Sequence, residues 1–139
     1  MTSIRFGRGE IRGFGAAFAF PSGRPFLVSS AEVLRFHGPA IREALSFREG
    51  FEIVIDDREE AKNFDTLRFV LDAALAAGAR RDDFFVAAGG GVVTDLAGFA
   101  ASVLLRGVEW YAVPTTTMCS YSSRVTARFP GPSCGRCWA

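Results

Sequence analysis

Two rhythms of apolar and polar residues run along the chain, one alternating or wholly apolar over short stretches and one recurring near every 3.6 residues. Pro25-Phe26-Leu27-Val28 is a short apolar run and predicts a strand. Ser29, with Glu32 three residues later, has the form of a helix N-terminal capping box, so this strand feeds a helix. That helix is expected over residues 31–37, broken at Gly38-Pro39 where an amide donor is lost, and resumed through Leu45. Phe51-Glu52-Ile53-Val54-Ile55 alternates like a strand, and Asp56 and Asp57 end it. Leu67, Val70, Leu71, Ala74 and Leu75 recur at helical spacing, with Asn63 placed to cap the start and Gly78 to close the end. Asp83-Phe84-Phe85-Val86-Ala87-Ala88 reads as a strand buried on both faces, followed by three glycines and a helix over residues 94–105. Glu109-Trp110-Tyr111-Ala112-Val113 is a last strand, stopped by Pro114.

Strand and helix therefore alternate, which predicts an α/β, Rossmann-like fold: a largely parallel sheet with helices on both faces. Ligands of such folds lie at the carboxyl ends of the strands. With 139 residues, the chain is long enough for one core and short for two ordinary domains. Sixteen basic and fifteen acidic residues leave a net charge of +1, so no global field recruits nucleic acid or an anionic membrane, and a small molecule is the expected partner. No apolar run approaches the roughly 18 residues of a membrane helix, and the opening residues lack the apolar core of a secretion signal, so a cytoplasmic location is expected. Three cysteines, all near the carboxyl end, argue against a disulfide scaffold. The C-x-x-C pair Cys134 and Cys137 has no second pair or neighbouring histidine to complete a zinc site. The sole histidine, His37, reads as a surface or capping residue.

Candidate chemistry gathers where strands end. Gly89-Gly90-Gly91 stands between a buried strand and a helix, a turn at which backbone amides and the helix dipole suit a nucleotide diphosphate. The same glycines also fit a tight strand-helix turn needed for packing alone, and the G-x-G-x-x-G fingerprint is absent here. Asp95 falls in what is expected to be the first helical turn, where a carboxylate either holds a ribose hydroxyl or favours the dipole. Pro114-Thr115-Thr116-Thr117 offers hydroxyls at the end of the last strand.

In combination these residues carry a family resemblance. Ala88-Gly-Gly-Gly-Val-Val-Thr-Asp-Leu-Ala-Gly-Phe-Ala-Ala-Ser, then Leu105-Arg106-Gly107-Val108, then Val113-Pro114-Thr115-Thr116 resembles the signature GGGVVGDLAGFAAA, RG and VPTT of 3-dehydroquinate synthases in order and spacing. Upstream, Asp57-Arg58-Glu59-Glu60-Ala61-Lys62 is similar to that family's DGExxK motif, and the chain's only lysine falls on the motif's lysine. The resemblance covers roughly residues 25–125. It implies an NAD site in which Asp57, Glu59 and Lys62 contact the cofactor, Gly90, Gly91, Val92 and Asp95 cradle its pyrophosphate and ribose, and Thr115 and Thr116 complete the pocket. It also implies a lyase of the shikimate pathway of aromatic amino acid biosynthesis. In that reaction NAD transiently oxidises a seven-carbon sugar phosphate, phosphate is eliminated and a carbocycle forms, with a divalent metal, zinc or cobalt, and often a homodimer. The metal is expected only in a full-length member, since the helical domain with the metal-binding glutamate and two histidines is missing from this sequence. The fragment alone is expected to bind NAD without turnover.

Departures qualify the carry-over. The family continues toward DSSVGGKT, whereas this chain has Ser122-Ser123-Arg124-Val125-Thr126-Ala127-Arg128. Ser29-Ser30 stands where an acidic residue often serves the adenine-side ribose, and Arg58 replaces a motif glycine, which together imply weaker NAD affinity. Residues 1–123 are read as the NAD-binding domain. Residues 124–139, rich in Arg, Pro, Gly and Cys, are read as an irregular tail, expected as the out-of-frame or truncated end of a GC-rich gene. The competing readings are another sugar-phosphate cyclase of valiolone or deoxy-inosose type, a glycerol dehydrogenase-like oxidoreductase, and an inactive remnant. The oxidoreductase is disfavoured because Leu96-Ala97-Gly98 follows Asp95 where those enzymes carry a small residue and lysine.

Overall fold

The computed structural model describes residues 20–45 and 50–115, together with the backbone of Arg136–Cys137. In chain order these are β1 (Pro25–Ser29), α1 (Ala31–Ala44), β2 (Phe51–Val54), a 3-10 turn (Glu59–Ala61), α2 (Phe64–Ala76), β3 (Phe84–Gly89) and α3 (Gly91–Val103). A second 3-10 turn (Leu104–Arg106), β4 (Glu109–Pro114) and the two-residue β5 (Arg136–Cys137) follow. The strands lie in the order β2-β1-β3-β4-β5, and every pairing is parallel. The doubly wound α/β class expected from the alternation is the class observed.

Period two along the strands divides the interior into two cores. Phe26, Val28, Phe85, Ala87, Trp110 and Ala112 point to one face, covered by α2 and α3. Leu27, Phe84, Val86, Ala88, Tyr111 and Val113 point to the other, covered by α1 through Ile41 and Leu45. All six residues of β3 are buried, which is why that stretch shows no polar alternation in the sequence. Burial of each large apolar side chain contributes about 1.5–3 kcal/mol, so these two layers supply most of the stabilisation.

Three local expectations are corrected. Ser30, not Ser29, is the N-cap of α1, its hydroxyl accepting from the Val33 amide. Ser29 stays in β1, and its buried hydroxyl donates to the Ala88 carbonyl at 2.6 Å. The helix also runs unbroken through Gly38-Pro39. A proline inside a helix costs about 3 kcal/mol, and the burial of Ile41 and Leu45 beyond it offsets that cost only if the helix continues. Finally, α3 begins at Gly91, three residues before the expected start, so Asp95 lies in its second turn and no acidic residue occupies the first. Asn63 does cap α2, accepting from the Thr66 amide at 2.9 Å, and Gly78 closes it at φ +70°.

Below the sheet, at the amino ends of β1 and β3, Asp83 is almost wholly buried and accepts from the Arg24 guanidinium at 2.9 Å, the Arg24 amide at 2.8 Å and the Arg80 amide at 2.8 Å. Burial pushes its carboxyl up, but the hydrogen bonds from Arg24 and Arg80 outweigh it and hold the group below its ordinary 3.8. A lowered folded value means that this contribution to stability is present above the unfolded value and is lost as pH falls through the folded one. Asp83→Asn should therefore lower stability at pH 7 by about 2 kcal/mol, leaving Arg24 without its counter-charge. The gap to the parent protein should shrink in urea titrations as pH falls below the ordinary carboxylate range and through the lowered folded value of Asp83; equal midpoints at pH 7 contradict the assignment.

Candidate functional site

The sheet order places a crossover between β1 and β3: the chain leaves β1 toward β2 on one side and returns to β3 on the other. Helix starts on opposite faces of the sheet diverge there, leaving a crevice at the carboxyl ends of the strands. A cavity of about 560 Å³ occupies that position, lined by residues following β1, β2, β3 and β4. Of the residues singled out in the sequence, Asp57, Glu59, Gly90, Gly91, Val92 and Thr115 all line it. Thr116 lies outside the described residues, as do Ser122, Thr126 and Arg128.

The glycine turn owes each glycine to a different cause. A Cβ at Gly89 would lie 2.8 Å from the Val93 side chain, so that position is glycine for packing. A Cβ at Gly91 would meet nothing within 4 Å, so the first residue of α3 faces open space. Gly90 is the N-cap, and no side chain caps the helix. The Thr94 hydroxyl donates back to the Gly90 and Gly91 carbonyls at 3.1 Å, which serves acceptors of the turn and leaves its amides alone. The first amides of a helix have no intrahelical acceptor and carry the positive end of its dipole, so this opening is electrostatically suited to an anion. The Thr115 amide donates to the Gly89 carbonyl at 3.0 Å, which brings the end of β4 against the turn.

Lys62 and Asp95 do not line the cavity but are joined to it. Lys62 Nζ is 2.7 Å from Asp95 Oδ2 and 3.7 Å from Glu59 Oε1, linking the turn after β2 to α3. The hydrogen bond to Asp95 raises the Lys62 ammonium, against a smaller opposing effect of burial, and the charges of Asp95 and Glu59 add to the rise. Arg58, the departure from the family motif, turns back onto Asp56 through its side chain. That contact holds the Asp56 carboxyl down at about 2 and keeps the Arg58 guanidinium off the cavity wall.

One wall was missed by sequence reasoning. Glu32, Val33, Phe36 and His37 of α1 line the cavity. Their spacing of one, four and five is one face of a helix, and a helix that follows a strand end flanks the crevice, so the signal was available. His37 is exposed, as expected, but faces the cleft. Among the described residues no three His, Cys, Asp or Glu side chains come together as a metal site, and no helix is long and apolar enough to cross a membrane.

Comparison with known proteins agrees with this geometry. The family model for the 3-dehydroquinate synthase N-terminal domain matches residues 52–129. A 3-dehydroquinate synthase of Pelobacter propionicus is 42% identical over 106 residues, which make up 75% of this chain and only 30% of that protein. The chain thus spans under a third of the length of that curated relative. The crystal structure of a 2-deoxy-scyllo-inosose synthase shares the fold with a TM-score of 0.81 at 21% identity, over 99% of this chain and 43% of the other. The 2-epi-5-epi-valiolone synthase of Streptomyces hygroscopicus, solved with NAD+ and Zn2+, aligns with a TM-score of 0.68 at 31% identity, over 84% of this chain and 33% of the other. With more than half of its residues matched by the N-terminal model, this chain belongs to the 3-dehydroquinate synthase family.

Proposed function

We propose that the cleft takes NAD and that the chain is the dinucleotide-binding part of a 3-dehydroquinate synthase. The reaction served is the phosphate-eliminating cyclisation of a seven-carbon sugar phosphate in the shikimate route. The observation that carries this reading is the uncapped start of α3: Gly91 opens onto the cavity, with Thr115 and Glu59 on the same walls. A diphosphate fits there because helix-terminal amides can approach it with no side chain between.

Bound NAD supplies a reversible hydride acceptor for a secondary hydroxyl of the sugar. The chain's own residues bind and orient. Gly90, Gly91 and Val92 present amides to phosphate oxygens, Asp57 and Glu59 accept from ribose hydroxyls, and the Thr115 hydroxyl adds a contact at the end of β4. Lys62, held by Asp95, adds a positive charge beside Glu59, and the family resemblance adds the Thr116 hydroxyl to the cofactor contacts. The family's divalent metal is not assigned to any described residue. A second reading, a valiolone-type cyclase, is supported by the 31% identity to the Streptomyces enzyme and uses the same cofactor cleft.

Two substitutions test the cofactor site. Gly91→Asp places a carboxylate at the first residue of α3, where it should stabilise the helix by about 0.3–1 kcal/mol while repelling a diphosphate. NAD affinity should fall at least about tenfold as the melting temperature holds or rises, a divergence that loss of folding cannot mimic; unchanged calorimetric titration rejects the site. Lys62→Met should cost under about 1 kcal/mol, because the pair with Asp95 is largely solvent-exposed. Because the Lys62 ammonium is raised, the pair's contribution is present below the unfolded value and disappears as pH rises through the higher folded one. NAD affinity at pH 7 should weaken by roughly tenfold in the variant. Titrations that match the parent would remove Lys62 from the site.

A further inference from the structure

The α1 wall has no role in what precedes, and it lies before residue 52, outside the stretch matched by the family model. Its chemistry differs from that of the rest of the cavity. Phe36 exposes 62% of its surface and, unlike the other exposed phenylalanines among the described residues, lines the cavity, with the half-buried Val33 beside it. Among the described residues Phe36 packs against no other aromatic ring; instead the Arg35 guanidinium sits over its ring at 5.0 Å from the centroid. That stacking restrains the ring and polarises it. Ser29 and Ser30, which begin this wall, are committed to the fold through their bonds to Ala88 and Val33. They leave the α1 side of the cavity to Glu32, Val33, Phe36 and His37.

We infer that Phe36, flanked by Val33, is the stacking platform for the adenine ring of the dinucleotide, which makes it a specificity residue for the cofactor. This rests on the NAD reading above. A mononucleotide presents phosphate, sugar and base, and the cavity presents an anion-binding helix start, carboxylates at Asp57, Glu59 and Glu32, the polar imidazole of His37, and one apolar aromatic surface, Phe36. The base is the only one of the three groups that gains from an apolar face. Adenine fits better than nicotinamide because its two fused rings cover more apolar area and carry no charge, whereas an oxidised nicotinamide is repelled by the neighbouring Arg35 cation.

The test is isothermal titration of the 139-residue chain and its Phe36→Ala and Phe36→Tyr variants with NAD, ADP, nicotinamide mononucleotide and inorganic pyrophosphate. Because Phe36 is largely exposed, Phe36→Ala should keep the circular dichroism spectrum and melting temperature of the parent. Expected are an increase in Kd of about tenfold for NAD and ADP, unchanged binding of nicotinamide mononucleotide and pyrophosphate, and recovery in Phe36→Tyr. NAD and ADP binding that Phe36→Ala leaves unaltered overturns this inference alone. A loss confined to nicotinamide mononucleotide overturns it as well, by placing the other base there. If the unsubstituted chain binds neither NAD nor ADP, the dinucleotide reading itself fails, and this inference fails with it.

Discussion

A parallel ladder cannot be closed by a tight turn. Each strand of this sheet must be followed by a crossover that returns the chain to the same end, so the helices that make the crossovers all start at one edge. The rest of the molecule depends on that constraint. It brings the starts of α1 and α3, the turn after β2 and the end of β4 to one rim, though they are scattered over the sequence from Ser30 to Thr115. Because β1 and β3 are neighbours and their crossovers leave in opposite directions, the rim opens into a crevice between them. The Ser29 hydroxyl bonded to the Ala88 carbonyl ties the two strands together at that point.

The glycine turn shows how one motif meets two demands. Gly89 lets α3 pack down on the strand that feeds it, since any side chain there meets Val93. Gly91 does the reverse and keeps the mouth of the helix clear. A substitution at the first tests packing and one at the second tests binding, so a single alanine scan of the triplet would confuse stability with affinity. The same division separates Asp83 from Asp95. Both pair with a cation, but Asp83 is buried below the sheet, away from the crevice, and Asp95 is exposed at its edge.

The departures from the family motif take on a physical meaning in the fold. Arg58, where a glycine is usual, would obstruct the cleft if it extended into it, and Asp56 draws it away. Ser29 and Ser30, where an acid is usual, are used as an inter-strand bond and a helix cap. Glu32, two residues beyond Ser30, places a carboxylate of α1 on the cavity wall.

Periodicity and turn residues alone determined the element order, the parallel class and the strand ends at which the site lies, because they report local backbone preference and which face of each element is buried. The short apolar run Phe26-Leu27-Val28 and the unbroken apolar run of β3 were legible for that reason, as were Asp57, Glu59, Gly90, Gly91, Val92 and Thr115 of the cavity wall. Three boundaries were not. Pro39 is overridden by the packing of Ile41 and Leu45, the Ser29 cap is displaced because its hydroxyl finds Ala88, and α3 starts early because Gly91 needs no side-chain cap. The ion pair of Lys62 with Asp95 and the apolar wall of Phe36 likewise emerged only in three dimensions. Contacts between residues thirty or more positions apart depend on how the crossovers place each helix beside the sheet, and no local pattern encodes that placement.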